Sequence, residues 1–482
     1  MTVPASSYDV VIVGAGICGL NAAFVAAERL GKRGRIALVD SRHRAGGMWN
    51  DAYDYVRLHQ PHPLFTAGDI KWRWDKEPTH LASKPEVLDH LGYCLGEIEK
   101  RTHVEEYFGW SYDAHEESDG RVCTTIHRGG ERVVLESGRL VKALGFNVET
   151  NDPLQLTSAK VRSVSPDTCD VRAGEIAASD TPVWIVGGGK TAMDTAYALL
   201  TADPRREVSL LAGSGTWFVR RDALYHPDRP LRGGVRPNAW GEELAMSYDG
   251  TNEASVFSSM DGLRYIKVTP AASNFMIGLL SDAEADRIRD GLTQNRNDHL
   301  EDVVDAADGP QLVLRCGERV AVPEGTWVVN CTGYLLRGGR PYEPFASASG
   351  RVLSIGQRSS VLTFTSYEGY LLTHLLMRGK LARLPLVEID WTELRARYGS
   401  GTTPAAWTVL MHNFTILALA LPPQVFLRMG VDADHWYPLI RRQIGLLRFL
   451  MTRRRQREHY ARTIATVRER YDIRLGPLDH AA

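Results

Sequence analysis

Two glycine-rich turns constrain the fold of this chain more than any other feature. The first turn is Gly14–Gly19 and the second is Gly187–Ala192, and they directly follow the apolar runs Val10–Val13 and Val183–Val186. An apolar run, then a G-x-G-x-x-G/A pattern, then a helix is typical of a parallel strand whose following turn holds the pyrophosphate of a dinucleotide. Two such turns therefore predict two dinucleotide-binding folds in one chain.

Each position of the first turn that carries glycine requires it for a steric reason. Gly14 permits the tight reversal after the strand, Gly16 lets a pyrophosphate approach the backbone at the helix N-terminus, and Gly19 lets the helix pack closely on the strand. The next predicted strand, Arg35–Val39, ends at Asp40, which lies 21 residues after Gly19. An acid at this distance is expected to accept hydrogen bonds from ribose hydroxyls. A glycine turn without a ligand would explain the glycines but not this spacing.

The second turn predicts contacts to a second nucleotide. Gly187 and Gly189 repeat the spacing of the first turn, and a helix is predicted to begin at Thr191. The hydroxyl of Thr191 either caps this helix or contacts a phosphate. Lys190, inside the turn, either adds a phosphate contact or is exposed to solvent.

The residues beyond the next strand indicate which nucleotide this is. The strand Val208–Leu211 runs into Ala212–Gly215, so no carboxylate stands where one would bind a ribose 2'-hydroxyl, whereas Arg220 and Arg221 follow shortly afterwards. Because arginine suits a 2'-phosphate, the pattern favours NADPH over NADH. The alternative is an ordinary solvated pair of arginines.

Charge and cysteine content exclude several classes of function. The chain has 57 Lys and Arg against 58 Asp and Glu, a net charge of -1, which gives no general attraction to nucleic acid. Its six cysteines are far apart and lack zinc-like spacing, so no metal site is predicted. Their scatter favours free thiols in the cytoplasm and argues against a dithiol reductase, whose cysteines exchange as a pair. Residues Met1–Tyr8 show no export signal.

The stretch after the acid carries a family resemblance. Gly46-Gly47-Met48-Trp49 follows Asp40, and a Gly-Gly-x-Trp stretch in this place resembles the flavin-containing monooxygenases and the wider class of flavoproteins with two dinucleotide sites. The resemblance implies that the first site holds FAD and that Gly47, Met48 and Trp49 run past its flavin side. Without it, the glycines would be read as a plain turn and Trp49 as a core aromatic residue.

The resemblance continues through Tyr55–Pro63, where the family has an asparagine near the reactive face of the flavin. Here Gln60 stands in roughly that place, and its amide can donate to a flavin or peroxide oxygen. Because glutamine departs from the family pattern, His59 or His62 is an alternative participant. Either histidine is equally well read as a hydrogen-bonded loop residue beside prolines.

Two later segments resemble the places where the family's chain crosses between its two domains. They are Leu140–Phe146 and Trp327–Tyr334, the second of which includes Gly333. The strand Val352–Ile355 then leads to Gly356, which the resemblance places near the flavin ribityl chain, before a predicted helix at 366–376. The family's Phe-x-Gly-x-x-x-His identifier is missing before the second turn, so the chain resembles a divergent relative of the flavin-containing and Baeyer–Villiger monooxygenases.

The rest of the chain is less informative. An amphipathic helix is predicted near Asp282–Leu292, within a region, 223–310, that is a candidate for substrate contacts. The apolar run Ala405–Leu421 is too short and too polar to span a bilayer. The helix Leu439–Tyr460 combines apolar residues with several arginines. A cap over the substrate cavity, or packing on the FAD domain, is favoured over a position on a membrane surface.

Together these patterns predict an α/β fold with two doubly wound, three-layer, Rossmann-like domains, the NADPH domain inserted in the FAD domain, and a helical C-terminal extension. The predicted boundaries are 1–150 and 331–385 for the two parts of the FAD domain, 151–330 for the NADPH domain and 386–482 for the extension.

The predicted activity is that of an FAD- and NADPH-dependent monooxygenase. NADPH would reduce the flavin, O2 would add as a C4a-peroxide, and one oxygen atom would pass to a small organic substrate. A flavin-dependent NAD(P)H reductase or dehydrogenase without productive oxygenation is the first alternative. A binding protein that senses redox state without turnover is the second.

Overall fold

The computed structural model describes residues 7–145, 150–228, 231–333 and 340–476. In chain order its strands are Ser7–Tyr8 (β1), Val10–Val13 (β2), Arg35–Asp40 (β3), His103–Phe108 (β4), Ser111–Ser118 (β5), Arg121–Arg128 (β6), Glu131–Ser137 (β7), Leu140–Gly145 (β8), Arg162–Val164 (β9), Val183–Val186 (β10), Val208–Leu211 (β11), Thr216–Arg220 (β12), Tyr265–Ile266 (β13), Asn274–Leu280 (β14), Gln294–Arg296 (β15), Leu300–Ala306 (β16), Gly309–Leu314 (β17), Arg319–Ala321 (β18), Trp327–Asn330 (β19), Val352–Gly356 (β20), Glu388–Ile389 (β21) and Leu475–Gly476 (β22).

The helices follow the same chain order. They are Ile17–Leu30 (α1), Lys84–Glu99 (α2), Gly174–Ala178 (α3), Lys190–Ala202 (α4), Arg221–Leu224 (α5), Pro237–Ser247 (α6), Glu253–Met260 (α7), Asp282–Gly291 (α8), Thr365–Met377 (α9), Trp391–Tyr398 (α10), Thr403–Ala420 (α11), Pro423–Leu427 (α12) and Leu439–Arg470 (α13). Short 3₁₀ helices occur at Gly31–Arg33, Gly47–Asn50, His62–Leu64, Leu381–Arg383, Ser400–Thr402 and Ala433–Trp436.

The first parallel sheet has the strand order β20-β8-β2-β3-β4. β2 is buried along its whole length, as a central strand covered on both faces must be. Its residues Val10 and Ile12 pack with α1, α2 and α9 on one face. Val11 and Val13 pack on the other face with the four-stranded sheet β1-β7-β6-β5. The result is a three-layer domain around the first glycine turn.

The second parallel sheet repeats this construction with the strand order β15-β11-β10-β19-β9. Val183 and Ile185 of β10 pack with α4 and α8. Trp184 and Val186 pack on the opposite face with the antiparallel strands β16 and β17. The predicted helix near Asp282–Leu292 is α8.

The chain order of the strands shows how the two halves are connected. Strands β9, β10, β11, β15 and β19 of the second sheet all lie between β8 and β20, which are neighbours in the first sheet. The predicted insertion of one dinucleotide fold into the other is therefore confirmed. Phe146 and Tyr334, which end the two predicted crossing segments, lie outside the described residues.

The C-terminal part is helical, as predicted. α11 is buried along most of its length and packs with α6, β12, β14 and the second half of α13 in one apolar cluster. α13 continues to Arg470, past the predicted end at Tyr460. Within the described ranges, no helix combines the length with the apolar character that crossing a bilayer requires.

Candidate functional site

The two glycine turns occupy equivalent places, each between a central strand and its parallel neighbour. Gly14 and Gly187 have φ values of 105° and 133°, which side chains rarely adopt. A Cβ on Gly14 would lie 2.5 Å from the carbonyl oxygen of Ala143 in β8, and one on Gly187 would lie 2.4 Å from that of Cys331, just after β19. Glycine is required at both positions because each turn presses directly on a neighbouring strand.

The first turn and Gly47 form a cradle with no side chain in it. A Cβ on Gly16 would lie 3.3 Å from the Cα of Gly47, and one on Gly19 would overlap the carbonyl oxygen of Gly14 at 1.7 Å. Gly16 is also the N-cap of α1, where no side chain caps the helix. The amide of Gly46 donates to the carbonyl of Ala15 at 2.9 Å and holds the two loops together. A helix N-terminus left open in this way fits a pyrophosphate.

Asp40 lies at the end of β3 and is buried at 5% exposure. One carboxylate oxygen accepts the amide of Ala15 at 2.7 Å, and the other accepts the amide of Arg42 at 2.9 Å. The acid thus braces the glycine turn. Because a carboxylate offers about four lone-pair sites, a ribose hydroxyl can still donate to it, and that contact stays a prediction.

Met48 and Trp49 follow Gly47 in a 3₁₀ helix. Met48 is 47% exposed, whereas the ring of Trp49 packs edge-on against Phe65 with 5.8 Å between ring centroids. Trp49 packs against the apolar clusters of both parallel-sheet domains. Val87 is a member of the first cluster and Ile185 of the second. It therefore lies at the junction between the two dinucleotide folds.

His59 and Gln60 lie in the loop before the second of these folds. The carbonyl of His59 accepts the Nε of Arg221 at 2.8 Å. Burial holds the pKa of His59 well below its usual value, and the positive charges of Lys190 and Arg221 act in the same direction. His59 is therefore neutral at physiological pH. The amide of Gln60 is half-buried and has no hydrogen-bond partner in the part of the chain that the structure describes.

His62 lies in a separate group of aromatic residues. Its Nδ1 is 3.1 Å from the carbonyl oxygen of His80, and its ring packs edge-on against Trp72 and Trp74. Burial lowers the pKa of this histidine as well. These contacts agree with the alternative interpretation, in which His62 is a hydrogen-bonded structural residue.

The second turn is tied to the first domain by side chains. Lys190, the first residue of α4, forms an ion pair with Asp194 one turn later. Tyr53 donates its phenolic hydrogen to the other oxygen of Asp194 at 2.7 Å, and the hydroxyls of Tyr55 and Thr195 are 2.7 Å apart. Sequence reasoning missed these contacts, since Tyr53 and Asp194 are 141 positions apart.

Arg220 and Arg221 are both engaged with carboxylates. Arg220 ends β12, outside the second parallel sheet, and its guanidinium donates to both oxygens of Asp282. Arg221 pairs with Glu284 at 2.5 Å, and its side chain is 11% exposed. A nucleotide 2'-phosphate would have to compete with these acids, so the predicted role of the two arginines stays a prediction. Thr191 is half-buried at the second position of α4, and Gly189 is the N-cap.

Where the chain returns to the first sheet, the last residue of β20 borders open space. A Cβ on Gly356 would have no neighbour within 4 Å, and the next residue, Gln357, is buried at 5% exposure. The side-chain oxygen of Gln357 has no partner among the described residues. Such a buried acceptor fits a hydroxyl donor, which is what a flavin ribityl chain would provide. Gly333, the other predicted glycine, is exposed and has a φ of 75°.

A buried carboxyl group that the sequence did not indicate fixes the loop beyond Gln357. Glu368 of α9 accepts the amides of Val361 and Leu362 at 2.7 and 2.9 Å. Burial raises the pKa of Glu368 to about 7, although these two amides act to lower it. The carboxyl group therefore sets the position from which α9 begins.

An apolar cavity of about 50 Å³ adjoins the start of α9. It is enclosed by β12, β14, α6, α9 and α11, so the region between 223 and 310 contributes to its wall, while the predicted substrate contacts of that region stay a prediction. No residue of α13 lines this cavity, and the predicted role of that helix as a cap over the substrate cavity stays a prediction. Its lining residues are Val219, Leu224, Tyr225, Pro237, Asn238, Trp240, Gly241, Ile277, Leu279, Leu362, Thr363, Phe364, Tyr367, Trp407, Met411, Phe414 and Ala433.

Residues 8–221 match the model of the pyridine nucleotide-disulphide oxidoreductase family. The matched range runs from β1 to Arg221 and includes both glycine turns. The predicted resemblance to flavoprotein oxidoreductases with two dinucleotide sites is therefore confirmed over this range.

Individual relatives are distant. An uncharacterized protein from Mycobacterium tuberculosis is 26% identical over 358 residues, which cover 70% of this chain but only 61% of that relative's length. Monooxygenase ptmN from Penicillium ochrochloron is 26% identical over 189 residues, 37% of this chain and 30% of that protein. Among solved structures, the ornithine hydroxylase PvdA from Pseudomonas aeruginosa is 14% identical with a TM-score of 0.49, covering 77% of this chain and 99% of that one.

Proposed function

We propose that this chain is an NADPH-dependent flavoprotein monooxygenase that transfers one atom of O2 to a small, partly apolar organic substrate. When bound, FAD would accept hydride from NADPH and then react with O2. The residues that would hold FAD are Gly14, Gly16, Gly19, Asp40 and Gly47. NADPH would bind at Gly187, Gly189, Lys190 and Thr191, with Arg220 and Arg221 as candidates for its 2'-phosphate.

The observation that carries the proposal is the apolar cavity at the start of α9. Its wall at Leu362 and Thr363 comes six and seven positions after Gly356, the residue that resemblance places beside the flavin. All of its lining residues except Asn238 and Thr363 are apolar or aromatic, and such a lining excludes water, which would protect a reactive oxygen species until the substrate reacts. A monooxygenase needs such a pocket, whereas a simple reductase does not. Similarity to monooxygenase ptmN also supports this reading.

His59 and Gln60 would serve the flavin side of the site by hydrogen bonding and not by charge. A neutral imidazole offers one donor and one acceptor, and the amide of Gln60 offers both kinds of group. The low pKa of His59, caused by burial, keeps the ring neutral throughout the physiological range. We assign Gln60 to the reacting oxygen because its amide lacks a protein partner among the described residues.

Disulphide reduction is disfavoured by the thiols themselves. Burial raises the pKa of Cys18 and Cys94, and it raises that of Cys331 to about 12. Because the thiolate is the nucleophile in disulphide exchange, these buried thiols are inert. All six cysteines are free.

Rapid-mixing spectroscopy tests the proposal. The purified protein, loaded with FAD, is reduced by NADPH without oxygen and then mixed with oxygenated buffer while the flavin spectrum is recorded. We expect a spectral species, distinct from the reduced and oxidised forms, that persists for seconds. Direct reoxidation would indicate a reductase, and failure of NADPH to reduce the flavin would indicate a binding protein without turnover; both results overturn the proposal.

A pair of variants tests whether Gln60 stabilises this spectral species. We expect Gln60→Leu to shorten the lifetime of this species at least tenfold, because one hydrogen bond to a charged oxygen is lost. Gln424→Leu, on the exposed α12, is the matched control and should leave that lifetime within twofold of the wild type. Equal effects of the two substitutions would exclude Gln60 from the site.

A further inference from the structure

The first half of α13 presents an apolar surface to solvent. Seven apolar side chains between positions 439 and 451 are between 38% and 79% exposed. At 3.6 residues per turn they fall on one side of the helix, which we call the outer face of α13. Its apolar residues are Leu439, Ile440, Ile444, Leu446, Leu447, Leu450 and Met451.

The side of α13 that faces the protein between positions 439 and 459 includes Gly445, the half-buried Phe449 and the polar residues Gln456 and His459. A Cβ on Gly445 would lie 2.1 Å from the guanidinium of Arg236, so the helix presses directly on that side chain. Gln456 is buried and donates to Glu242 of α6 at 2.6 Å. His459 donates to the carbonyls of Ala245 and Tyr248. Most large apolar side chains of this stretch therefore face solvent, and Phe449 alone among them faces the protein, which is the reverse of a surface helix that packs for its own domain.

The second half of α13 shows the ordinary arrangement. Tyr460, Ile464 and Val467 are buried in the cluster that includes α11. The outward-facing apolar residues are thus confined to the first half and are not a feature of how the whole helix packs.

Arginines border the outer face on both sides. The segment 439–457 contains seven arginines and no aspartate or glutamate. On a helical projection Arg442 and Arg453 fall on one border of the apolar side and Arg448 and Arg455 on the other. These four have no ion pair among the described residues. The remaining three arginines are Arg441, Arg454 and Arg457.

We propose that the outer face of α13 docks on the surface of a membrane rich in anionic phospholipid. An apolar side that enters the headgroup region, bordered by arginines that meet lipid phosphates, is the arrangement of an interfacial helix. The charge decides between occupants, because a second copy of this chain would bring an equally basic face against it. The inference is independent of the proposed catalytic function.

Docking would also place the cavity close to the lipid. α6 and α11 each line the cavity and also contact α13, so the cavity wall and the helix that carries the outer face share these two neighbours. A partly apolar substrate dissolved in the membrane would then be near its site.

Vesicle co-sedimentation of the full chain tests the docking proposal. We expect the protein to bind vesicles of phosphatidylcholine with 30% phosphatidylglycerol at least tenfold more tightly than vesicles of phosphatidylcholine alone, and 0.5 M NaCl should remove most of this difference. Absence of binding to the anionic vesicles would overturn the proposal. Equal binding to both vesicle types would remove the role of the arginines and overturn it as well.

Two double variants and their controls separate the apolar and charged contributions. Leu447→Glu with Met451→Glu should weaken vesicle binding at least tenfold, as should Arg453→Gln with Arg455→Gln. Leu263→Glu and Arg205→Gln, at positions 52% and 93% exposed elsewhere on the surface, should change it less than twofold. Thermal unfolding verifies that each variant is folded. If light scattering shows a dimer that Leu447→Glu with Met451→Glu dissociates, a second copy covers this face and the membrane proposal is wrong.

Discussion

Tyr53 donates its phenolic hydrogen bond to Asp194 at 2.7 Å and thereby joins the loop after the first dinucleotide cradle to the helix that begins at the second. Asp194 is held on its other oxygen by Lys190, so three groups from the two halves form one chain of contacts. Burial and the charge of Asp194 raise the pKa of Tyr53 well above its usual value, so the phenol keeps its proton. This link connects the helix after the second glycine turn to the loop that follows the first one.

Replacing Tyr53 by phenylalanine tests the role of this link. Loss of the hydrogen bond leaves one oxygen of Asp194 without its donor, and we expect a loss of about 1–2 kcal/mol in the free energy of unfolding. We also expect flavin reduction by NADPH to slow at least tenfold, because hydride transfer requires the two rings to meet at close range. Stopped-flow absorbance and thermal unfolding measure the two effects.

A matched control for this substitution lies in the first half alone. Tyr107→Phe removes a phenolic hydroxyl that donates to a carboxylate, Glu105, at 2.9 Å and lies 2.7 Å from the hydroxyl of Tyr8, without touching the junction. It should lower the stability by a similar amount and leave the rate of flavin reduction within twofold. Equal slowing in both variants would show that general stability, and not the junction, sets the rate.

Alanine substitutions in the first turn should separate folding from FAD binding. In Gly19→Ala the new methyl group would overlap a backbone carbonyl at 1.7 Å, so α1 cannot sit on the turn and both stability and FAD content should fall. In Gly16→Ala the nearest atom is at 3.3 Å, so the protein should fold while FAD affinity falls at least tenfold. Flavin-to-protein absorbance ratios and unfolding curves measure both.

The control for the glycine pair is Gly92→Ala in α2. A Cβ at this position meets nothing within 4 Å, and alanine favours a helix over glycine by about 1 kcal/mol. We expect slightly higher stability and normal FAD content. If Gly16→Ala also retained FAD fully, the cradle would not be the pyrophosphate site.

The ion pair between Arg220 and Asp282 offers a test of nucleotide preference. Asp282→Asn should release Arg220 and raise the preference for NADPH over NADH roughly tenfold, whereas Arg220→Gln should lower it by a similar factor. The ratio of kcat/KM for the two nucleotides measures this preference. Unchanged ratios in both variants would remove Arg220 from the 2'-phosphate site and leave its bond to Asp282 as structural.

Local steric features were predictable from the sequence, and contacts between distant residues were not. The steric need for glycine at Gly14, Gly19 and Gly187 was predicted correctly because the strand, turn and helix that require them are contiguous in the chain. The carboxylate partners of Arg220 and Arg221 come from α8, about 60 residues later, and no local sequence pattern predicts such ion pairs.

The orientation of α13 shows a second kind of limit. Its apolar and basic positions indicated an amphipathic helix, but periodicity describes the two sides of a helix without saying which side faces the protein. That choice is made by Gly445 and Gln456, which fit against Arg236 and Glu242 of a segment two hundred positions earlier. Which side of the helix faces the protein could be seen only when those partners were in place.

The buried carboxyl group of Glu368 predicts a pH-dependent stability. Burial raises its pKa to about 7 in the folded chain, against about 4.3 for glutamate in an unfolded one. Between these values the folded chain keeps a proton that the unfolded chain has lost, so this contribution to stability is complete below about pH 4 and is lost as the pH rises through about 7.

Glu368→Gln keeps an oxygen that accepts the amides of Val361 and Leu362 but cannot ionise. The variant should therefore gain stability over the wild type as the pH rises from 5 to 8, by up to about 3 kcal/mol. Urea unfolding at several pH values measures this difference, and Glu116→Gln, on the exposed part of β5, should show none. A difference for Glu368→Gln that stays constant from pH 5 to 8 would mean that this carboxyl group is ionised in the folded protein throughout the range.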